Sequence, residues 1–207
     1  QLEKLGVQVV LNEEVTIEKV IKESPDVVVL ATGSKPRPAP FPVEDSKNIF
    51  VLNHEEAILG VNTIGEKVLI LDHQARMIGV HVADYLSDQG KQVQIITPVP
   101  SPGFYLGFTE MPITYQRLFK KGVKFIPHSD IKEIKGGIIK AFNVYTQEEN
   151  FISEIDTVIY VVANWVDKTL ERGLKGKVKE LHVIGDCLSP RDTLQAIREG
   201  FDCGRVI

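Results

Sequence analysis

The sequence is short of the residues on which several classes of function depend. Only two cysteines, Cys187 and Cys203, stand in 207 residues; they are too far apart for a CxxC pair and too few for a disulfide framework or a four-thiolate metal site. They read as reduced, structural thiols. The five histidines, His54, His73, His81, His128 and His182, show no HxH or HExxH spacing, and no Ser/His/Asp set follows from their positions. Metal binding and nucleophilic catalysis therefore have no support. No apolar run approaches the roughly 20 residues that cross a bilayer, and no charged-then-apolar leader opens the chain. The expectation is a cytoplasmic protein without a membrane partner. The formal charge is −4, and the lysines are dispersed rather than blocked together, which argues against a nucleic-acid partner. An initiator methionine is also lacking: Gln1 opens a helix-like QLEKLG segment and the chain ends inside another apparent helix. A piece of a longer polypeptide is expected.

What is present is an α/β pattern in a chain of ordinary hydrophobic content, 43%, enough to bury a core. A strand (6–11), a short helix (16–22) with Ile17, Val20 and Ile21 on one side, and the apolar strand DVVVLATGS (26–34) come first. An unbroken Val/Leu strand is buried on both faces, as in a parallel sheet covered by helices. The next segment, KPRPAPFPVED (35–45), has four prolines in eleven residues and reads as a crossing linker at a domain boundary. Asn53 followed by Glu56 predicts a capping box on a helix over 54–59. Residues 67–97 read as βαβ, with Ile78, Val82, Tyr85 and Leu86 on the helix's inner face and Gly90 as its stop. A helix opened by Thr109, with Met111, Tyr115 and Leu118 inward, leads to a strand at 123–127. Three antiparallel strands are expected over about 130–155, divided by a turn at Gly136 and Gly137. A second apolar strand, DTVIYVVAN, is followed by a short helix, the strand ELHVIGD and a closing helix from about Thr193.

Two motifs carry the functional reading. ATG (Ala31, Thr32, Gly33) and GD (Gly185, Asp186) each end an apolar strand, at the edge where ligands of open α/β sheets bind. Glycine lets backbone approach a ligand, and an aspartate there can accept hydrogen bonds from ribose or ribityl hydroxyls. The helix after GD points its amide end toward the same crevice, where it would stabilise a phosphate or an anionic flavin edge. The alternative is plainer: Gly33 as a turn residue and Asp186 as the cap of that helix. In DHQARMIG, by contrast, the first two glycines of a GxGxxG fingerprint ending at Gly79 are replaced by Gln74 and Arg76, and the next strand ends in IITP without an acidic residue. Both features work against NAD at this turn. Asn164, taken as tolerant of a left-handed backbone, and Trp165 read as architectural.

The order of these elements, together with LGFTEMPITYQRLFKKGV (106–123), NVYT (143–146) and IGDCLSPRDTLQAIREG (184–200), resembles the carboxyl-terminal region of the trimethylamine dehydrogenase, histamine dehydrogenase and 2,4-dienoyl-CoA reductase family. The resemblance implies two Rossmann-like folds of glutathione-reductase type, one inserted in the other: an incomplete FAD/ADP-type domain at about 1–50 and 150–207, and an NAD(P)-type insert with a degenerate fingerprint at about 65–145. It implies FAD or ADP in the outer domain of the parent, with Gly33, Gly185 and Asp186 at its nucleotide motifs and Thr193, Leu194, Gln195 and Ala196 at the helix start facing the flavin. It further implies an FMN-containing barrel and a 4Fe-4S cluster ahead of this chain, and a homo-oligomeric parent. Lacking the first βαβ unit of the outer domain, the chain is expected to hold no cofactor tightly and to be catalytically silent alone. A non-catalytic scaffold or docking domain is the competing expectation.

Overall fold

In the computed structural model, which describes residues 1–207, the strands are β1 (Val27–Leu30), β2 (Val43–Glu44), β3 (Phe50–Asn53), β4 (Lys67–Asp72), β5 (Gln92–Ile96), β6 (Lys124–Ile126), β7 (Ser129–Lys135), β8 (Ile138–Asn143), β9 (Glu149–Ile152), β10 (Thr157–Val161) and β11 (Glu180–Val183). The helices are α1 (Ile17–Glu23), α2 (His54–Leu59), α3 (Met77–Asp88), α4 (Met111–Lys120), α5 (Thr169–Leu174) and α6 (Thr193–Cys203). None of them is long and apolar enough to cross a membrane. They divide into two units, one of residues 1–35 with 164–207 and one of residues 36–163. One α/β fold is thus nested within the other in sequence, the arrangement of a glutathione-reductase-like protein.

The inserted unit is built on a parallel sheet in the order β3-β10-β4-β5-β6. Alternation along β4 sends Val68 and Ile70 to the face covered by α3 and α4, where they pack with Val80, Ala83, Leu86 and Leu118. Leu69 and Leu71 go to the opposite face. There they meet Ile131, Ile134, Ile139 and Ala141 of a second sheet, β2-β7-β8-β9, antiparallel from β7 to β9. This double covering explains the unbroken apolar runs of β4 and β10. The units divide at 35/36 and 163/164, so β10, which the sequence reading grouped with the outer segments, is the strand between β3 and β4 of the insert's sheet. Tyr85 is 44% exposed rather than inward, and Ala83 takes its place in the core.

The outer unit is sparer. β1 and β11 form a two-stranded parallel sheet over a small cluster of Leu30, Leu174 and Cys187. Here two sequence expectations fail. Residues 7–11 form no strand and lie exposed, because an extended segment becomes a strand only when its amides and carbonyls pair with a neighbour. Val29 in β1 is 38% exposed, because the unit's core packs on the face that carries Val28 and Leu30 and Val29 alternates to the other face.

Candidate functional site

Parallel pairing sets the outer site. Leu30 is level with Val183, and the Ile184 N–H donates to the Leu30 carbonyl at 3.0 Å, so the Ala31–Gly33 and Gly185–Asp186 turns leave the same edge side by side. Gly33 and Gly185 have φ of +73° and +65°, the left-handed region that glycine enters at little cost. A methyl on Gly33 would meet nothing within 4 Å, whereas one on Gly185 would stand 3.7 Å from the Ala196 Cβ. Gly185 therefore lies against the first turn of α6.

Side chains tie the two turns together. Thr32 Oγ1 donates to Cys187 Sγ at 3.2 Å. Ser34 Oγ donates to Asp186 Oδ2 at 3.2 Å and accepts from Asn164 Nδ2 at 3.1 Å. The Arg191 N–H donates to Asp186 Oδ1 at 3.2 Å. Each carboxylate oxygen of Asp186 keeps a further lone pair. Glu199 Oε2 accepts from the Gly185 N–H at 2.7 Å and its other oxygen pairs with Arg191. Arg191 first, and the Gly185 amide second, hold the Glu199 carboxyl below the usual carboxylate range.

The cap of α6 is Asp192, whose side chain accepts from the Gln195 N–H at 3.0 Å, not Asp186. The Thr193 and Leu194 amides in the first turn have no intrahelical partner, and both residues are exposed, while Gln195 and Ala196 are half-buried. Asp186 is thus free of a capping role and sits with Gly33, Gly185 and the helix start around one edge. Sequence reasoning missed Ser34, Arg191 and Glu199. Nothing in their spacing marks them, since their roles arise when separate elements meet. Asp192 was legible in the D-x-x-Q spacing to Gln195. Asn164 is not left-handed; its amide braces Ser34 instead.

At the β4–α3 turn the chain supplies its own hydrogen-bond acceptor. Asp72 is fully buried; Oδ1 accepts from the Ala75 N–H at 2.9 Å and Oδ2 from the Gly103 N–H at 3.4 Å. Burial pushes its carboxyl above the usual aspartate range, and the amides of Ala75, Gly103 and Gln74 with His73 oppose this. Gln74 is bonded to the Val162 carbonyl at 2.8 Å. Tyr105 N–H donates to the Ala75 carbonyl at 2.9 Å, so the loop after β5 is strapped to the turn on which a dinucleotide's pyrophosphate would need to lie.

Comparison with known proteins agrees with this architecture. N,N-dimethylglycine/sarcosine dehydrogenase of Chromohalobacter salexigens is 29% identical over 223 residues, matching 100% of this chain and 31% of that protein. The structure of a 2-naphthoyl-CoA reductase superposes with a TM-score of 0.86 at 26% identity, covering 100% of this chain and 30% of the other. Histamine dehydrogenase from Rhizobium sp. 4-9 gives 0.83 at 21% identity, over 94% and 32%. The chain therefore spans about a third of the length of these relatives. The family model described as pyridine nucleotide-disulphide oxidoreductase matches residues 1–200, and with the nested folds and paired strand-end motifs in place, the chain belongs to that family.

Proposed function

We propose that this chain is the nucleotide-binding and electron-transfer region of a larger flavin-dependent oxidoreductase of the amine dehydrogenase or enoate/dienoyl-CoA reductase type. The observation that carries the reading is the convergence of the Ala31–Gly33 turn, the Gly185–Asp186 turn and the free amides of Thr193 and Leu194 on one edge of the outer unit. Asp186 would accept a ribityl or ribose hydroxyl, Gly33 and Gly185 would admit the ligand to the backbone, and the start of α6 at Thr193, Leu194, Gln195 and Ala196 would stabilise negative charge. The group would be FAD or ADP; FAD would supply a second electron carrier, ADP none. FMN and a 4Fe-4S cluster belong, on this reading, to the remainder of a homo-oligomeric parent, and the chain by itself neither turns over substrate nor holds a nucleotide tightly.

The test is a visible absorption spectrum of the full-length polypeptide, with acid-released nucleotides identified by chromatography. FAD or ADP that is lost on Asp186→Ala, while FMN stays, supports the assignment. A parent with no second nucleotide would leave the scaffold reading, which the self-bonded Asp72 turn favours for the insert.

A further inference from the structure

The insert has a second strand-end crevice, distinct from the outer edge. From β4 the chain steps to β5 and β6 on one side and returns to β10 on the other, so β4 and β10 flank a point where the strand order reverses. Ligands of open parallel sheets bind beyond the carboxyl ends of such strands. The residues that follow these strands, His73 and Gln74 after β4 and Val162 and Ala163 after β10, line an open cavity of about 450 Å³ together with Arg37, Pro38 and Pro40. That is within the range of small-molecule sites.

We propose that this crevice binds a small organic carboxylate with an apolar body, a role independent of the nucleotide proposed for the outer unit. Its walls are the apolar faces of Pro38, Pro40, Val162 and Ala163. Arg37 is exposed, and the arginines that form ion pairs are Arg117, Arg191 and Arg198, which leaves the Arg37 fork available for two parallel bonds to a carboxylate. His73 Nε2 lies 2.9 Å from Asp130 Oδ1, a bond that holds the imidazole in place at the floor of the crevice. The Gln74 amide is already bonded to the Val162 carbonyl and serves as wall. A dinucleotide is the poorer occupant, since Asp72 and the Gly103–Tyr105 backbone already use the amides and carbonyl of the turn.

The test is calorimetric titration of the chain with benzoate, its uncharged isostere benzamide, inorganic phosphate and NADH, with benzoate-induced amide shifts mapped by NMR. Benzoate is expected to bind in the millimolar range or tighter, to outdo benzamide and phosphate, and to shift His73, Val162 and Ala163. Arg37→Gln should weaken it at least about tenfold, a loss of about 1.4 kcal/mol, and Arg37→Lys, which keeps the charge without the fork, by less. Arg37 is exposed, so thermal melting of both variants should match the parent chain; should Arg37→Gln not fold, Arg37→Lys carries the comparison. The proposal is overturned by no benzoate binding, by equal binding in the arginine variants, by phosphate or NADH binding this crevice as well as benzoate does, or by shifts confined elsewhere.

Discussion

Gly79 and Asp72 form one constraint seen from two sides. A methyl group on Gly79 would stand 2.6 Å from the Asp72 Cγ and 2.8 Å from Oδ2, inside a buried turn. Helix propensity alone would favour alanine by about 1 kcal/mol, but overpacking a buried carboxylate costs roughly 1–3 kcal/mol. Gly79→Ala is therefore expected to lower the denaturant midpoint; an equal or higher midpoint would mean the turn yields freely. Asp72 also gives a pH dependence. Its carboxyl titrates higher in the folded protein than in the unfolded chain because burial disfavours the charge. The folded state then holds the proton longer, so the stability tied to this group falls as pH rises out of the aspartate range and is lost above the folded value. Asp72→Asn removes this term, and the stability of the variant relative to the parent chain should rise as pH increases out of the ordinary aspartate range, as read by denaturant titration at each pH. A constant difference would show that the carboxylate is not penalised by its burial.

Single elements were legible wherever their signals are local. Asn53 accepts from the Glu56 N–H and Glu56 accepts from the Asn53 N–H, each at 2.9 Å, the capping box predicted for α2. A helix of six residues has little cooperativity of its own, so Asn53→Ala should cost about 1 kcal/mol, measured as a drop in unfolding free energy. Substitution of the exposed Glu55 beside it should cost little. Thr16 caps α1 in the same local way, and the Gly136–Gly137 turn between β7 and β8 has φ of +59° and +77°. The segments misjudged from sequence, 7–11 and β1, are those whose state depends on what pairs with or covers them, which no local pattern reports.

At the scale of the whole molecule the two units differ in the depth of their cores. The insert's parallel sheet is covered on both faces, with β10 and most of β4 fully buried, whereas the outer unit has a two-stranded sheet and three buried core residues. Hydrogen exchange follows the free energy of local opening. Amides of β4 and β10 are therefore expected to exchange far more slowly than those of β1 and β11 in the chain at neutral pH. Comparable protection would mean that the outer unit draws stability from something other than its own core. If the Proposed function holds, adding the remainder of the parent should slow exchange in β1, β11 and the first turn of α6 while leaving β4 unchanged.

Sequence alone determined the α/β class, the βαβ unit of the insert, the Asn53–Glu56 capping box, the Gly136–Gly137 turn and the strand-end positions of Gly33 and Gly185–Asp186, because periodicity, capping and glycine chemistry act within a few residues of the chain; Thr109, read as opening α4, makes no cap, and that helix begins at Met111 after Glu110 with Pro112 in its first turn. Tertiary structure alone decided that β10 runs between β3 and β4, that Ser34, Asn164, Arg191 and Glu199 brace the outer edge, and that Asp72 fills its own turn. Those outcomes rest on strand order and on hydrogen bonds between residues as far as 152 positions apart, and only the folded chain brings such residues within reach of one another.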